Sequence, residues 1–129
     1  MKTITNQLEH RGQFINHDGK YWIVESYYKF EHGDGWFATP IYFKKDGNVE
    51  ARRCDANWCY ACNGAFLKDP ESDIKKKALQ NYLDDYLIWS KDSQIKQNCD
   101  TSIIDGWIQH FKFLINQITV LTDSEGKNQ

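Results

Sequence analysis

Proline is scarce in this chain, with two residues in 129, and methionine occurs once. No apolar run is long enough to span a bilayer. The strongest, Phe111–Leu121, is broken by Lys112, Asn116 and Gln117. An excess of one charge is missing too. Residues 1–64 carry eight basic and eight acidic side chains, residues 65–129 eight and ten, and the formal net charge is −2. Without a cluster of Lys and Arg, duplex nucleic acid is excluded as the default partner. Residues 1–7 lack the apolar core of a signal peptide, so cytoplasmic residence is the expectation. In that compartment the four cysteines are expected to be reduced. The strong catalytic signatures are absent as well: no P-loop, no dinucleotide fingerprint, no Gly-x-Ser-x-Gly and no His-Glu-x-x-His. The chain does not read as an enzyme.

What the chain has in quantity is aromatic residues, 15% of the total: five Trp, seven Tyr and seven Phe. That content excludes intrinsic disorder. The length suits a single domain with its own core.

Strand signals fill the first half. A short β-prone run, Gln13–Asn16, precedes an Asp18-Gly19 hairpin signal. Lys20–Phe30 alternates, and its even positions (Trp22, Val24, Ser26, Tyr28, Phe30) form the more apolar face, expected to point inward. Trp36–Lys45 reads as the next strand, with Pro40 demanding an edge or a bulge. Val49–Cys54 follows an Asp46-Gly47 turn. Helix signals fill the second half. Asp69-Pro70-Glu71 is a helix start, and Ile74, Ala78, Leu79, Tyr82, Leu83, Tyr86 and Leu87 make an apolar stripe ending near Lys91. A second helix begins near Ser102, where Ser102 and Asp105 resemble a capping box, and carries Ile104, Trp107, Ile108, Phe111, Leu114, Ile115 and Ile118. The expectation is an α+β domain over residues 1–121. It has a four-stranded antiparallel meander with one face covered by two helices, and a flexible polar tail at 122–129.

Cys54, Cys59 and Cys62, with Cys99, form the most distinctive cluster. The Cys59/Cys62 pair has knuckle spacing, and the four thiols would close a tetrahedral structural zinc site. The C-x4-C-x2-C spacing is similar to that of plant-type iron–sulfur ferredoxins, but Trp58 and Tyr60 stand where those have small residues. A redox Cys-x-x-Cys would need a βαβ layout that this order of elements lacks. The plain alternative is that the four are small, apolar, reduced side chains with no cofactor. His10, His17, His32 and His110 are scattered, the middle two in turns beside Asp.

A sheet covered on one face leaves the other in water. In the alternating register that open face holds Tyr21, Tyr27, Trp36, Tyr42 and Arg52, with Trp58 and Tyr60 in the cysteine loop beside it. Aromatics and Arg dominate interface hot spots, so these seven are the candidate partner-binding residues. Their expected partner is a larger protein, bound by a monomer or homodimer away from membranes. The class of small, slightly acidic chains without a catalytic set includes inhibitor, immunity and anti-defence (anti-CRISPR-like) proteins of bacteria and phages. The same residues suit stacking of single-stranded nucleic acid, although no RNP-like motif is present. Alternatively, the N-terminal segment or the cysteine loop covers these rings.

Overall fold

The computed structural model describes the backbone of residues 7–127 and the side chains of residues 7–119. The stretch read for a targeting signal, residues 1–6, and the last two residues of the expected tail lie outside the described residues.

The fold is α+β, with an antiparallel sheet followed by helices. β1 (Phe14–His17) turns through Asp18 and Gly19, with φ of 54° and 74°, into β2 (Lys20–Phe30). Two consecutive left-handed residues are what a type I′ hairpin needs. β3 (Gly33–Phe43) pairs with β2, and β4 (Val49–Ala51) pairs with β3. To these four strands the structure adds two short ones. β5 (Asn57–Tyr60) lies on β3 beyond β4, and β6 (Phe66–Leu67) lies on the free edge of β1. β4 and β5 therefore share one side of β3: β5 reaches Ala38 and β4 begins at Ile41. Pro40 sits in the gap between them. Its carbonyl accepts from the Arg52 N–H at 3.1 Å, so its nitrogen also faces the gap, where no rung requires an N–H.

α1 (Ser72–Tyr82) passes through a π-helical segment (Leu83–Leu87) into α2 (Ile88–Lys96). The helix starts later than expected, and Asp69 accepts from Lys75 at 3.0 Å instead of capping. It also runs past Lys91, because Lys91 ties it to Asp105 of the next helix at 2.7 Å. α3 (Ser102–Lys127) is anchored by Thr101 Oγ1 donating to Asp105 at 3.0 Å, one residue before the expected capping serine. Its backbone stays helical through 122–127, where a polar tail was expected. Among the described residues no helix is long and apolar enough to cross a membrane.

Two clusters of buried side chains lie on opposite faces of the sheet. The helices press Ala78, Leu79, Tyr82, Leu87, Ile108 and Phe111 onto Phe14, Ile23, Ile41, Val49 and Ala51. On the other face Ile15, Val24, Tyr27, Trp36, Ala38, Cys59 and Ala65 pack together. The expected assignment of faces is thus reversed in the first half of β2: Ile23, not Val24, meets the helices. Between Val24 and Ser26 the register with β3 slips, so Glu25 and Ser26 together oppose one residue. This β-bulge keeps both on the helix-facing side and inverts the alternation after it. Tyr27 therefore joins Val24 behind the sheet, and Tyr28 and Phe30 return to the side of Ile23.

Candidate functional site

The helices cover only part of their face. Beyond the bulge that face continues as a bare aromatic platform built by three strands. β2 supplies Tyr28 and Phe30, β3 supplies Phe37, and β5 supplies Trp58 and Tyr60. Trp58 is the hub, with ring centroids 5.2 Å from Tyr28, 5.5 Å from Phe37, 6.0 Å from Phe30 and 6.2 Å from the nearly parallel ring of Tyr60. Phe30 meets Tyr60 edge-on at 5.6 Å. Gly35 makes this possible: a Cβ there would come within 2.4 Å of the Phe30 ring, which lies across the bare glycine backbone. Phe30 keeps 44% of its surface exposed, and the other four are half-buried. Strand period places Trp58 and Tyr60 outward and Cys59, between them, inward.

At the helix end the platform meets Arg53, in the single turn after β4. Its guanidinium lies 5.3 Å from the Phe37 ring and 5.0 Å from the Tyr86 ring. Its Nε is 2.6 Å from Glu25, the bulge residue, which is 2% exposed. The Tyr82 hydroxyl donates to the same carboxylate, and Arg11 Nε donates to the Glu25 carbonyl at 2.8 Å. Burial raises the Glu25 carboxyl above its ordinary value, opposed by the Tyr82 hydrogen bond and Arg53. Burial and the neighbouring carboxylate push the Tyr82 hydroxyl up strongly. Beside Arg53, a cavity of about 620 Å³ opens toward Asp85, Tyr86 and the exposed Trp89.

The seven expected binding residues are distributed over four places. Only Trp58 and Tyr60 lie on the platform. Tyr27 and Trp36 are 8% and 2% exposed and sit under the N-terminal segment. There the Trp36 indole N–H donates to His10 Nδ1 at 2.9 Å, and the His10 ring lies 4.3 Å from that of Tyr27. Tyr27 also donates to Asp34 at 2.5 Å, which with burial pushes its hydroxyl up to about 12. Tyr42 is held between Arg52 and Lys20, 4.2 and 5.1 Å from its ring, and donates to Asp55. Tyr21 packs against the helix-side core. Tyr28 and Phe30, expected to point inward, instead form the platform together with Phe37. The signal that would have found them is glycine: Gly33 and Gly35 stand directly opposite Phe30 and Tyr28.

The four thiols of the zinc alternative do not come together in this geometry. Cys59 points into the cluster behind the sheet and is buried, whereas Cys54, Cys62 and Cys99 are exposed. Cys54 and Cys62 occupy separate single-turn helices, and Cys99 follows α2. Among the described residues no three His, Cys, Asp or Glu side chains converge on a metal position. Burial, with the charge of Asp18, pushes the Cys59 thiol up to about 11, so little thiolate is present at neutral pH. A thiol reagent such as DTNB is expected to modify Cys54, Cys62 and Cys99 in the folded protein and Cys59 only after denaturant is added. Rapid reaction of Cys59 in buffer would contradict its placement.

No family model, curated protein or solved structure matches this chain.

Proposed function

We propose that the chain is a binding module that docks a larger protein through the platform centred on Trp58. The observation that supports this is a set of five rings, Trp58 and the four in contact with it, left part-exposed on the half-sheet that the helices do not cover. Grouped Trp and Tyr bring large apolar area at low entropic cost, the composition of interface hot spots. The cavity between Arg53 and Trp89 extends the strip and suits a protruding side chain of the partner. An inhibitor or modulator role, of the immunity or anti-defence kind, extends this reading on class alone.

The local charges favour protein over single-stranded nucleic acid. Arg53 is committed to Glu25, and Arg52 to Glu50 at 3.1 Å. Lys29 stands opposite Asp34 on the other face of the sheet. Phosphates following the rings would find no cation of the platform left uncommitted.

The test is affinity for a partner recovered by pull-down. Trp58→Ala is expected to weaken it by about 2 kcal/mol, roughly 30-fold, with an unchanged circular dichroism spectrum. Phe43→Ala, exposed at the far end of β3, is expected to leave it unaltered. Equal affinities for wild type and Trp58→Ala would sink the reading. Tight binding of oligothymidine that falls steeply with salt would replace it with the nucleic-acid one.

A further inference from the structure

A second site lies away from the platform, where the N-terminal segment crosses the start of α3. Leu8 and Arg11 form one wall, and Ile103, Gly106, Trp107 and His110 the other. The space between them is about 470 Å³, within the range that holds small ligands. Its floor is Gly106. A Cβ built there meets nothing within 4 Å, so the volume is open down to the helix backbone. Its mouth is apolar: Ile103 is 82% exposed, which leaves most of an isoleucine in water.

The polar feature of this groove is Arg11. Its guanidinium carbon lies 4.1 Å over the Trp107 ring, and its Nε is used on the Glu25 carbonyl. Lys44, Arg52, Arg53, Lys75, Lys77 and Lys91 each have a carboxylate within ion-pair distance. Arg11 has none at that distance among the described residues: the Glu25 carboxylate acts on it only from farther off, and burial depresses its pKa. A half-buried cation stacked on an indole, with no described carboxylate in direct contact and an apolar groove beside it, is completed by an anion. His110 donates its Nε2 proton to the Arg11 carbonyl at 3.0 Å, which fixes this stretch of backbone against α3.

We propose that this groove binds a small monocarboxylate with an apolar body. Its carboxylate pairs with Arg11, and its body lies on Trp107 and Ile103 above Gly106. Two sources share that chemistry: an alkyl acid of fatty-acid type and an aryl acid.

The experiment titrates the full chain with octanoate and with indole-3-acetate, and with octanol and indole-3-ethanol as uncharged counterparts. Binding is read by calorimetry and by amide shifts around Gly106. Saturable binding of at least one acid is expected, with its alcohol about tenfold weaker or more, the size of one charge-assisted contact. The preferred acid identifies the source. Gly106→Leu fills the groove from its floor, where an added Cβ meets nothing within 4 Å, and favours the helix, so it is expected to fold and to lose binding. Arg11→Lys is expected to retain more acid binding than Arg11→Met. Equal affinity for acid and alcohol, no saturation by either acid, or undiminished binding by Gly106→Leu would each overturn the proposal. None of these outcomes bears on the platform, which is tested separately at Trp58.

Discussion

Arg53→Ala is expected to destabilise the fold by about 3 kcal/mol near neutral pH, more than any exposed substitution, because it strands Glu25. That carboxylate is 2% exposed and holds two partners, the Arg53 guanidinium and the Tyr82 hydroxyl. Removing the cation leaves a buried charge with one neutral donor. The figure sits at the low end of the range for broken buried pairs because Arg53 itself is one-third exposed, 34%, and its loss admits water. The penalty should also depend on pH. Burial already raises the Glu25 pKa in the folded protein above its ordinary 4.5, and Arg53 opposes that rise. Without Arg53 the folded value climbs further. A carboxyl whose folded pKa exceeds its unfolded one binds a proton more tightly when folded. Its contribution is therefore most favourable below the unfolded pKa and is lost as pH rises through the folded one. Urea unfolding of Arg53→Ala should show a small penalty at about pH 4 and the full one at about pH 7. Glu25→Gln in the Arg53→Ala background should recover part of the loss. A pH-independent penalty below about 1 kcal/mol would mean that water, not Arg53, satisfies Glu25.

The same two residues mark the boundary of what the sequence made legible. The α+β order, the Asp18-Gly19 hairpin and the stripe Ala78, Leu79, Tyr82, Leu83 follow from local pattern, because turn chemistry and helical period act within a few residues. Pro40 signals an edge or a bulge; β3 is instead an inner strand, and Pro40 sits in the gap between β4 and β5. The faces of β2 were not legible, because alternation is a local rule and the bulge is imposed from outside the strand. Glu25 must reach Arg53, 28 positions away, and Tyr82, 57 positions away. Nothing within Lys20–Phe30 announces either contact. The face assignments up to Val24 were reversed, and the bulge brought those from Ser26 onward back into agreement with the alternation. Tyr28 and Phe30 were placed in the core although the helices do not cover that end of the face, and Tyr27 in solvent although His10 of the N-terminal segment lies against it. The cysteine stretch was ambiguous for the opposite reason. Its spacing suggested a metal knuckle, but β-strand pairing with β3 sends Cys59 inward and leaves the rings on either side to form the platform.

Deletion of Val24 is expected to prevent folding, whereas deletion of Ser26 is expected to leave the chain folded. The bulge explains this asymmetry. Two residues, Glu25 and Ser26, occupy the space opposite Phe37, so one can be lost and Tyr27 still faces Trp36. Without Ser26, Glu25 remains on the helix side, where Tyr82 and Arg53 meet it. The loss is a local adjustment of about 1–2 kcal/mol, and the platform survives. Without Val24 the later residues also stay in register, but Glu25 moves into the place of Val24 opposite Ala38. That position is fully buried among Ile15, Tyr27, Trp36 and Cys59. A carboxylate there has no cation, while Arg53 and Tyr82 lose theirs on the other face. Burying an unpaired charge and orphaning its partners together cost several kcal/mol, comparable to the whole stability of a small domain. Near-UV circular dichroism, which reports the packed rings, should be native-like for the Ser26 deletion and flat for the Val24 deletion. If the two deletions prove equally damaging, the pairing of β2 with β3 does not contain this bulge, and the platform has a different origin.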